Sequence, residues 1–251
     1  MKVQVIGSGT YTFEGGRNTS CYLVETQKAR LLLDFGSGAL QTLAKQGIQY
    51  NNIHHILLTH YHPDHCSDLI SFLAIALSKY QENTKQEIHL YGPKGLKRLY
   101  KRLVRAFGIH PDKRKVKKYL HFHEFRKDGE FHINGAKIKH FLVKHSNKKS
   151  FAYRIEEKNK VLVYSGDSTD CPGLRFACED ADVAIFDSNS TIGAHLFPKE
   201  IVDIAESCGV KNVVLTHIHY RDFKLQSPLK EFERLSKLPA HQAHDGMKFI
   251  V

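Results

Sequence analysis

Ile56-Leu57-Leu58-Thr59-His60-Tyr61-His62-Pro63-Asp64-His65 is an apolar run that ends in four metal-ligand side chains within six residues. Aliphatic residues and a threonine in sequence read as a buried strand that delivers a loop. Crowding His60, His62, Asp64 and His65 at the end of such a strand is costly unless something satisfies them. A divalent cation does so, with bonds of about 2.0–2.2 Å. The spacing lets His60 and His62 reach one ion while Asp64 and His65 reach a second. The bland alternative is a solvated histidine-rich loop. It is disfavoured because an apolar strand feeds the loop and a helix opening at Asp68 follows it.

Further along the chain, Val213-Val214-Leu215-Thr216-His217-Ile218-His219 repeats the device of an apolar strand handing over a histidine. The chain therefore reads as two related units, packed sheet to sheet with helices outside. Strands are expected at Lys2–Ile6, Cys21–Glu25, Arg30–Asp34, Ile56–Thr59 and Glu87–Tyr91. They recur at Lys137–Val143, Ser150–Glu156, Val161–Ser165, Val183–Asp187, Asn212–Thr216 and Met247–Val251. Helical spacing marks Ala39–Gln46, Asp68–Ser78, Lys94–Phe107 and Pro198–Cys208, and the Lys-rich stretch Lys113–Lys118 reads as a linker. No break divides the two units, so residues 1–251 are expected to form a single domain.

Composition narrows the class. At 251 residues and 41% apolar, the chain can bury a sizeable core. The absence of an eighteen-residue apolar run argues against a membrane span. The N-terminus reaches Gly7 too soon for a signal peptide's apolar region. Five scattered cysteines, with no CxxC pair, argue against a disulfide framework and against a thiolate zinc cluster. These features together favour the cytoplasm. Seventeen histidines are several times the ordinary share, and histidine is the commonest metal ligand.

The formal charge of +11 suggests a polyanionic partner. It is concentrated between Lys94 and Lys118, where eleven Lys or Arg face one acid, Asp112. In Lys94–Phe107 one helix face carries Leu96, Leu99, Tyr100, Leu103, Val104 and Phe107, and the basic residues repeat at the same spacing on another. Lys97, Lys101 and Arg105 are the candidate contacts to a phosphate backbone, with RNA the candidate polymer. A merely solvated helix face carries equal weight.

The HxHxDH run His60–His65 resembles the signature of the metallo-β-lactamase superfamily, and the later motifs of that family follow in order. His145 in Val143-Lys144-His145-Ser146, Asp167 in Tyr164-Ser165-Gly166-Asp167-Ser168 and His217 in Leu215-Thr216-His217 match the remaining ligand positions. The resemblance spans the chain. It implies an α/β fold, an αββα sandwich of two packed mixed sheets with helices on both outer faces. It also implies the ligand set His60, His62, Asp64, His65, His145, Asp167 and His217, with Asp167 bridging two ions. Zinc, two per chain, is the expected cofactor, with manganese or iron as alternatives. Asp64 counts as catalytic too, since its loss should disturb turnover and metal content together. Asp34 is expected to orient the metal loop. His219 is the weaker rival of His217. His140 falls on the face opposite His145 and is expected at the surface. His54, His55, His121 and His123 are expected to be solvent or core residues.

Within the superfamily the chain resembles ribonuclease Z and related small phosphodiesterases. Arg17-Asn18-Thr19-Ser20, Phe151-Ala152-Tyr153-Arg154, His195 ahead of a helix, and His244-Asp245-Gly246-Met247 carry this likeness. It implies phosphodiester hydrolysis of the endonuclease, tRNA-processing type. A water activated by two ions attacks phosphorus, and His195 protonates the leaving oxygen. Asp187 is expected to hydrogen-bond His195 and raise its pKa. Two departures bear on substrate. Only twenty-one residues separate His145 from Asp167, too few for the substrate-clamping arm of ribonuclease Z, and Phe186-Asp187-Ser188-Asn189 replaces its His-Glu-Ala-Thr segment. Transfer-RNA specificity is thus weaker than phosphodiester chemistry in general. A thiol-ester hydrolase or an iron-dependent oxidoreductase of the same fold is the alternative, and neither would need His195. The sequence leaves the oligomeric state, a homodimer included, open.

Overall fold

The computed structural model describes the chain except for residues 13, 79–86, 147, 190–193 and 220–226. Sheet one contains β1 (Lys2–Gly7), β2 (Cys21–Glu25), β3 (Arg30–Leu33), β4 (His55–Leu57), β5 (Ile88–Pro93), β6 (Leu120–Phe125) and the closing strand β14 (Lys248–Ile250). Its order is β14-β1-β2-β3-β4-β5-β6. Sheet two contains β7 (Gly129–Ile133), β8 (Ala136–His145), β9 (Lys148–Glu157), β10 (Lys160–Tyr164), β11 (Val183–Asp187), β12 (Val213–Thr216) and β13 (Ala240–Gln242). There the order is β13-β12-β11-β10-β9-β8-β7.

Side-chain alternation along these strands builds three cores rather than one. In β3, Leu31 and Leu33 point between the sheets with Val3, Val5, Val24, Leu57, Ile138, Ile155 and Leu162. Leu32 points the other way, with Leu23 and Ile56, onto helices α1 (Ala39–Lys45), α3 (Asp68–Ala76) and α4 (Leu96–Ala106). Val163, Ala184 and Leu215 of sheet two face outward onto α6 (Pro172–Cys178), α7 (Pro198–Ser207) and α8 (Pro228–Leu235). Near-continuous apolar strands are what burial on both faces demands. The result is the expected αββα sandwich.

Strands β3 to β6 run parallel to one another, as do β10 to β13. Their carboxyl ends therefore gather at one edge of the sandwich, where open α/β sheets place ligands. His60 follows β4, His145 ends β8, Asp167 follows β10, Asp187 ends β11 and His217 follows β12.

Four local expectations are corrected. Lys113–Tyr119 is a helix, α5, not a linker; Asp112 caps it, accepting from the backbone N–H groups of Arg114 and Lys115. Phe107 lies on the apolar stripe of α4 by spacing but is exposed at the helix end. Strands β6, β7 and β13 and helix α6 stand where the sequence reading places no element. His140 does face away from His145, yet it is buried, packed 3.7 Å from the ring centre of Phe125 and against Phe151. In a four-layer fold both faces of a central strand are covered, so an opposite face is not an exposed one.

Candidate metal centre

The loop after β4 winds into a single turn, α2 (Pro63–Cys66), which carries Asp64 and His65 inward. Asp34, at the end of β3, anchors this loop. Its carboxylate accepts from Thr59 N at 2.7 Å, from Thr59 Oγ1, from His65 Nδ1 at 2.7 Å and from Tyr164 Oη at 2.7 Å. Its backbone is left-handed, φ 58°, as is that of His217, φ 55°. Such strain in non-glycine residues clusters where function fixes geometry. Gly166 shares the left-handed region, and a Cβ there would meet Thr59 at 2.7 Å. Glycine is what lets Asp167 approach the metal loop.

The seven expected ligands converge on Asp167. His65 Nε2 lies 3.1 Å from its Oδ1; His217, His145 and His60 Nε2 lie 3.4, 3.6 and 3.7 Å from its Oδ2. His217 Nε2 is also 3.7 Å from Asp64 Oδ2. His62 Nδ1 stands 2.9 Å from His60 Nε2 and 3.2 Å from His145 Nε2. Two overlapping groups follow: His60, His62, His145 and Asp167, and Asp64, His65 and His217 with Asp167 between them. His219 is buried but belongs to neither group.

The outer hydrogen bonds fix which ring nitrogens face inward. Thr59 gives its hydroxyl proton to Asp34, so His60 Nδ1 must donate to Thr59 Oγ1, 3.0 Å away. His65 donates from Nδ1 to Asp34, and His145 donates from Nδ1 to the Ala194 carbonyl at 3.0 Å. With the Nδ1 protons so placed, Nε2 is the ring nitrogen that each histidine turns toward the carboxylate of Asp167, where its neutral form offers a lone pair. Ser20 Oγ bonds His217 Nδ1 at 3.1 Å. Lone pairs aimed at a carboxylate repel unless a cation lies between them. Among the described residues, His65 Nε2 and Asp167 Oδ1 are buried without a hydrogen bond of acceptable geometry, although they stand 3.1 Å apart. The electrostatics agree. Burial opposes charge on His65, but Asp167, Asp34 and Asp64 raise its pKa well above the ordinary value. Burial and the neighbouring imidazoles push His60 well down. Burial alone would raise Asp167, yet His217, His65 and His60 hold it well below the usual carboxylate range. The pocket attracts positive charge and presents ring nitrogens and carboxylate oxygens to it, so the residues fit a bound metal.

His195 sits beside this cluster. Its Nδ1 donates to Asp187 Oδ2 at 2.6 Å and lies 3.9 Å from Asp167 Oδ2. Burial works against its protonation, but the charge and hydrogen bond of Asp187 outweigh that and hold its pKa at about 9.

The family model for the anti-Pycsar protein Apyc1 matches residues 1–234. The chain belongs to that family. The sequence motifs by themselves point only to its wider superfamily and to ribonuclease Z. A ribonuclease Z of Nitrosopumilus maritimus is 21% identical over 98% of this chain and 96% of its own length. Among solved structures, the metallo-β-lactamase fold protein YhfI from Bacillus subtilis superposes with a TM-score of 0.83, at 21% identity over 99% of this chain and 98% of its own. Human tRNase Z, short form, gives 0.77 at 22% identity over 100% and 99%. These likenesses establish the metallo-β-lactamase fold.

The structure also explains the motifs that surround the ligands. Tyr153 Oη donates to the Leu58 carbonyl at 2.8 Å and Phe151 N to that of Thr59 at 3.0 Å, so the Phe151–Arg154 segment props the metal loop from sheet two. Asp245 accepts from Ser8 N, Ser8 Oγ and Asn18 N at 3.0, 2.8 and 2.6 Å, which ties the closing segment to Arg17–Ser20. The individual roles of Ser20, Thr59, Tyr164 and Asp245 emerge only from these contacts. The interval between His145 and Asp167 is taken up by β9, β10 and short turns. Lys97, Lys101 and Arg105 are exposed on α4. That helix begins just beyond the carboxyl end of β5, where Tyr61 Oη donates to the Pro93 carbonyl.

Proposed function

We propose that the protein is a metal-dependent phosphodiesterase, acting as one domain over residues 1–251 in the cytoplasm. The convergence of imidazole lone pairs on Asp167 carries this reading. His60, His62 and His145 would hold one cation, Asp64, His65 and His217 the other, and Asp167 would bridge them. Borderline nitrogen and oxygen donors favour zinc. Bound there, the cations supply an activated water and neutralise the phosphate's charge. The chain's own residues do the rest. Asp64 orients the attacking side of the centre. His195 donates a proton to the departing oxygen from Nε2, because Nδ1 is committed to Asp187. Asp187 fixes the ring and keeps it protonated. Tyr153, Tyr164 and Asp34 hold the loop still, so little reorganisation accompanies the reaction.

Strands β9 and β10 occupy the described part of the interval between His145 and Asp167, which supports small phosphodiesters as the first substrate class. The exposed basic face of α4 and α5 supports electrostatic RNA docking as a second reading, with Lys97, Lys101 and Arg105 as its contacts. The deciding experiment pairs elemental analysis with hydrolysis of bis(p-nitrophenyl) phosphate. Close to two ions per chain and metal-dependent turnover are expected. A metal-loaded protein that cleaves thiol esters, or that cycles iron and leaves every phosphodiester intact, would overturn the proposal.

A further inference from the structure

A second histidine group lies at the other end of sheet one. The register of β4, β5 and β6 aligns His55 with His89 and His89 with His121. The rings stack, with centroids 5.1 Å apart for His55–His89 and 4.6 Å for His89–His121. They occupy the amino ends of these parallel strands. His55 precedes His60 by five residues, roughly 16 Å of extended chain, so this group is separate from the Asp167 centre. His54 Nδ1 bonds the Glu87 carbonyl at 2.9 Å, and His89 N donates to the His54 carbonyl at 2.7 Å. These contacts hold Glu87 at the mouth of the row.

Glu87, His89 and His121 each bring one ligand atom within 4.8 Å of the others. His89 Nε2 stands 3.6 Å from Glu87 Oε2. Two donors about 2.1 Å from a tetrahedral ion lie roughly 3.4 Å apart, so this pair is spaced as ligands of one ion, and His121, within 4.8 Å of both, needs only a small side-chain adjustment to join them. Among the described residues, His121 Nε2 is buried with no hydrogen-bond partner. An orphaned ring nitrogen in a half-buried imidazole costs stability unless something uses its lone pair. His89 Nδ1 and His123 Nε2 bond each other at 3.1 Å, leaving His89 Nε2 for Glu87 or an ion. Burial and the adjacent imidazole of His121 lower the pKa of His89, which favours the neutral, ligating form.

We propose that Glu87, His89 and His121 form an additional cation site, of the two-histidine, one-carboxylate kind that takes Zn²⁺ or Co²⁺, with water completing the shell. An ion there joins β5 to β6. Since β6 is the edge strand of sheet one, the ion pins that edge in register.

The test is Co²⁺ and Zn²⁺ binding to the whole protein, read by elemental analysis after gel filtration and by cobalt visible absorption. Wild type should hold one equivalent beyond those of the Asp167 centre. Asp167→Ala should lose ions from that centre but keep this one, together with a Zn²⁺-dependent rise in Tm of a few degrees. His121→Phe preserves the aromatic stack and removes the ligand; Glu87→Gln lies at the exposed mouth and carries no folding risk. Each should weaken the extra equivalent at least tenfold and leave phosphodiester turnover unchanged. If both variants bind as many ions as wild type with the same cobalt spectrum, the site does not exist. If Asp167→Ala loses every equivalent and its Zn²⁺-dependent Tm rise, no separate site exists either. Failure of phosphodiesterase activity alone would overturn only the function proposed for the Asp167 centre.

Discussion

Asp187→Asn isolates the charge that prepares His195. The substitution keeps the shape and an amide oxygen able to accept from His195 Nδ1, but it removes the negative charge 2.6 Å away. In the native arrangement the imidazolium is favoured to the extent that its pKa rises from 6.5 to about 9, a preference on the order of 3 kcal/mol. The sign follows directly. A general acid must be protonated, so activity falls as pH rises through the pKa of His195, and lowering that pKa moves the fall to lower pH. Were the whole preference lost, the protonated fraction at pH 8 would drop about thirtyfold. Cations bound beside His195 lower its pKa in both proteins alike, so the gap between the two profiles survives even where each limb shifts. The assay is kcat/KM against pH for a dinucleoside monophosphate, whose ribose leaving group needs a proton. The variant's alkaline limb should move down by about one to two pH units, less than the full rise because the substituted amide oxygen still accepts from the ring. Bis(p-nitrophenyl) phosphate, whose leaving group departs as an anion, should be affected far less. An unmoved limb, a limb moved upward, or equal losses on both substrates would refute the role of the pair.

Three further outcomes are expected. His195→Ala should lower kcat on the ribose-leaving substrate by roughly 10²–10⁴ with metal content unchanged, whereas Asp64→Ala should lower both, as turnover and elemental analysis will tell. Reversing Lys97, Lys101 and Arg105 to Glu should weaken RNA binding and flatten its salt dependence by about 0.7 in log–log slope for each phosphate no longer neutralised, while bis(p-nitrophenyl) phosphate turnover holds; unchanged affinity would make the face merely solvated. Asp245→Ala leaves three donors of the Ser8 and Asn18 segment without their acceptor, and urea unfolding should register a loss of about 2–4 kcal/mol.

What the sequence disclosed was what is local. The alternation of Leu31, Leu32 and Leu33 and the apolar strand before His60 are written in neighbouring residues, so strand positions and the ligand loop were legible. Asp187 and His195 were also within reach, eight residues apart, and they do meet. The edge strand β6 was hidden because Leu120-His121-Phe122-His123 alternates apolar and polar residues directly after a run of lysines that reads as linker. Asp112 was in fact a readable signal for the helix within that run, since an aspartate before a basic stretch can cap it.

The non-local partners were out of reach for a different reason. Ser20 orients His217 across 197 positions, and Tyr164 reaches Asp34 across 130. The row His55, His89 and His121 exists only because β4, β5 and β6 lie side by side in register. Nothing in the spacing of those residues distinguishes them from scattered histidines on separate strands, and only strand order makes them neighbours. Both centres obey the same topology. Parallel strands that gather their carboxyl ends at the Asp167 edge also gather their amino ends at the opposite one. A histidine at the start of adjacent strands is therefore brought into register as surely as the ligands at their ends. The two ends differ in what surrounds the rings. At the Asp167 edge, Asp34 and the Ala194 carbonyl fix the tautomers and aim the lone pairs. At the other end one carboxylate, Glu87, faces stacked imidazoles. An ion held there should be the more weakly bound of the two kinds and the first to leave under a chelator.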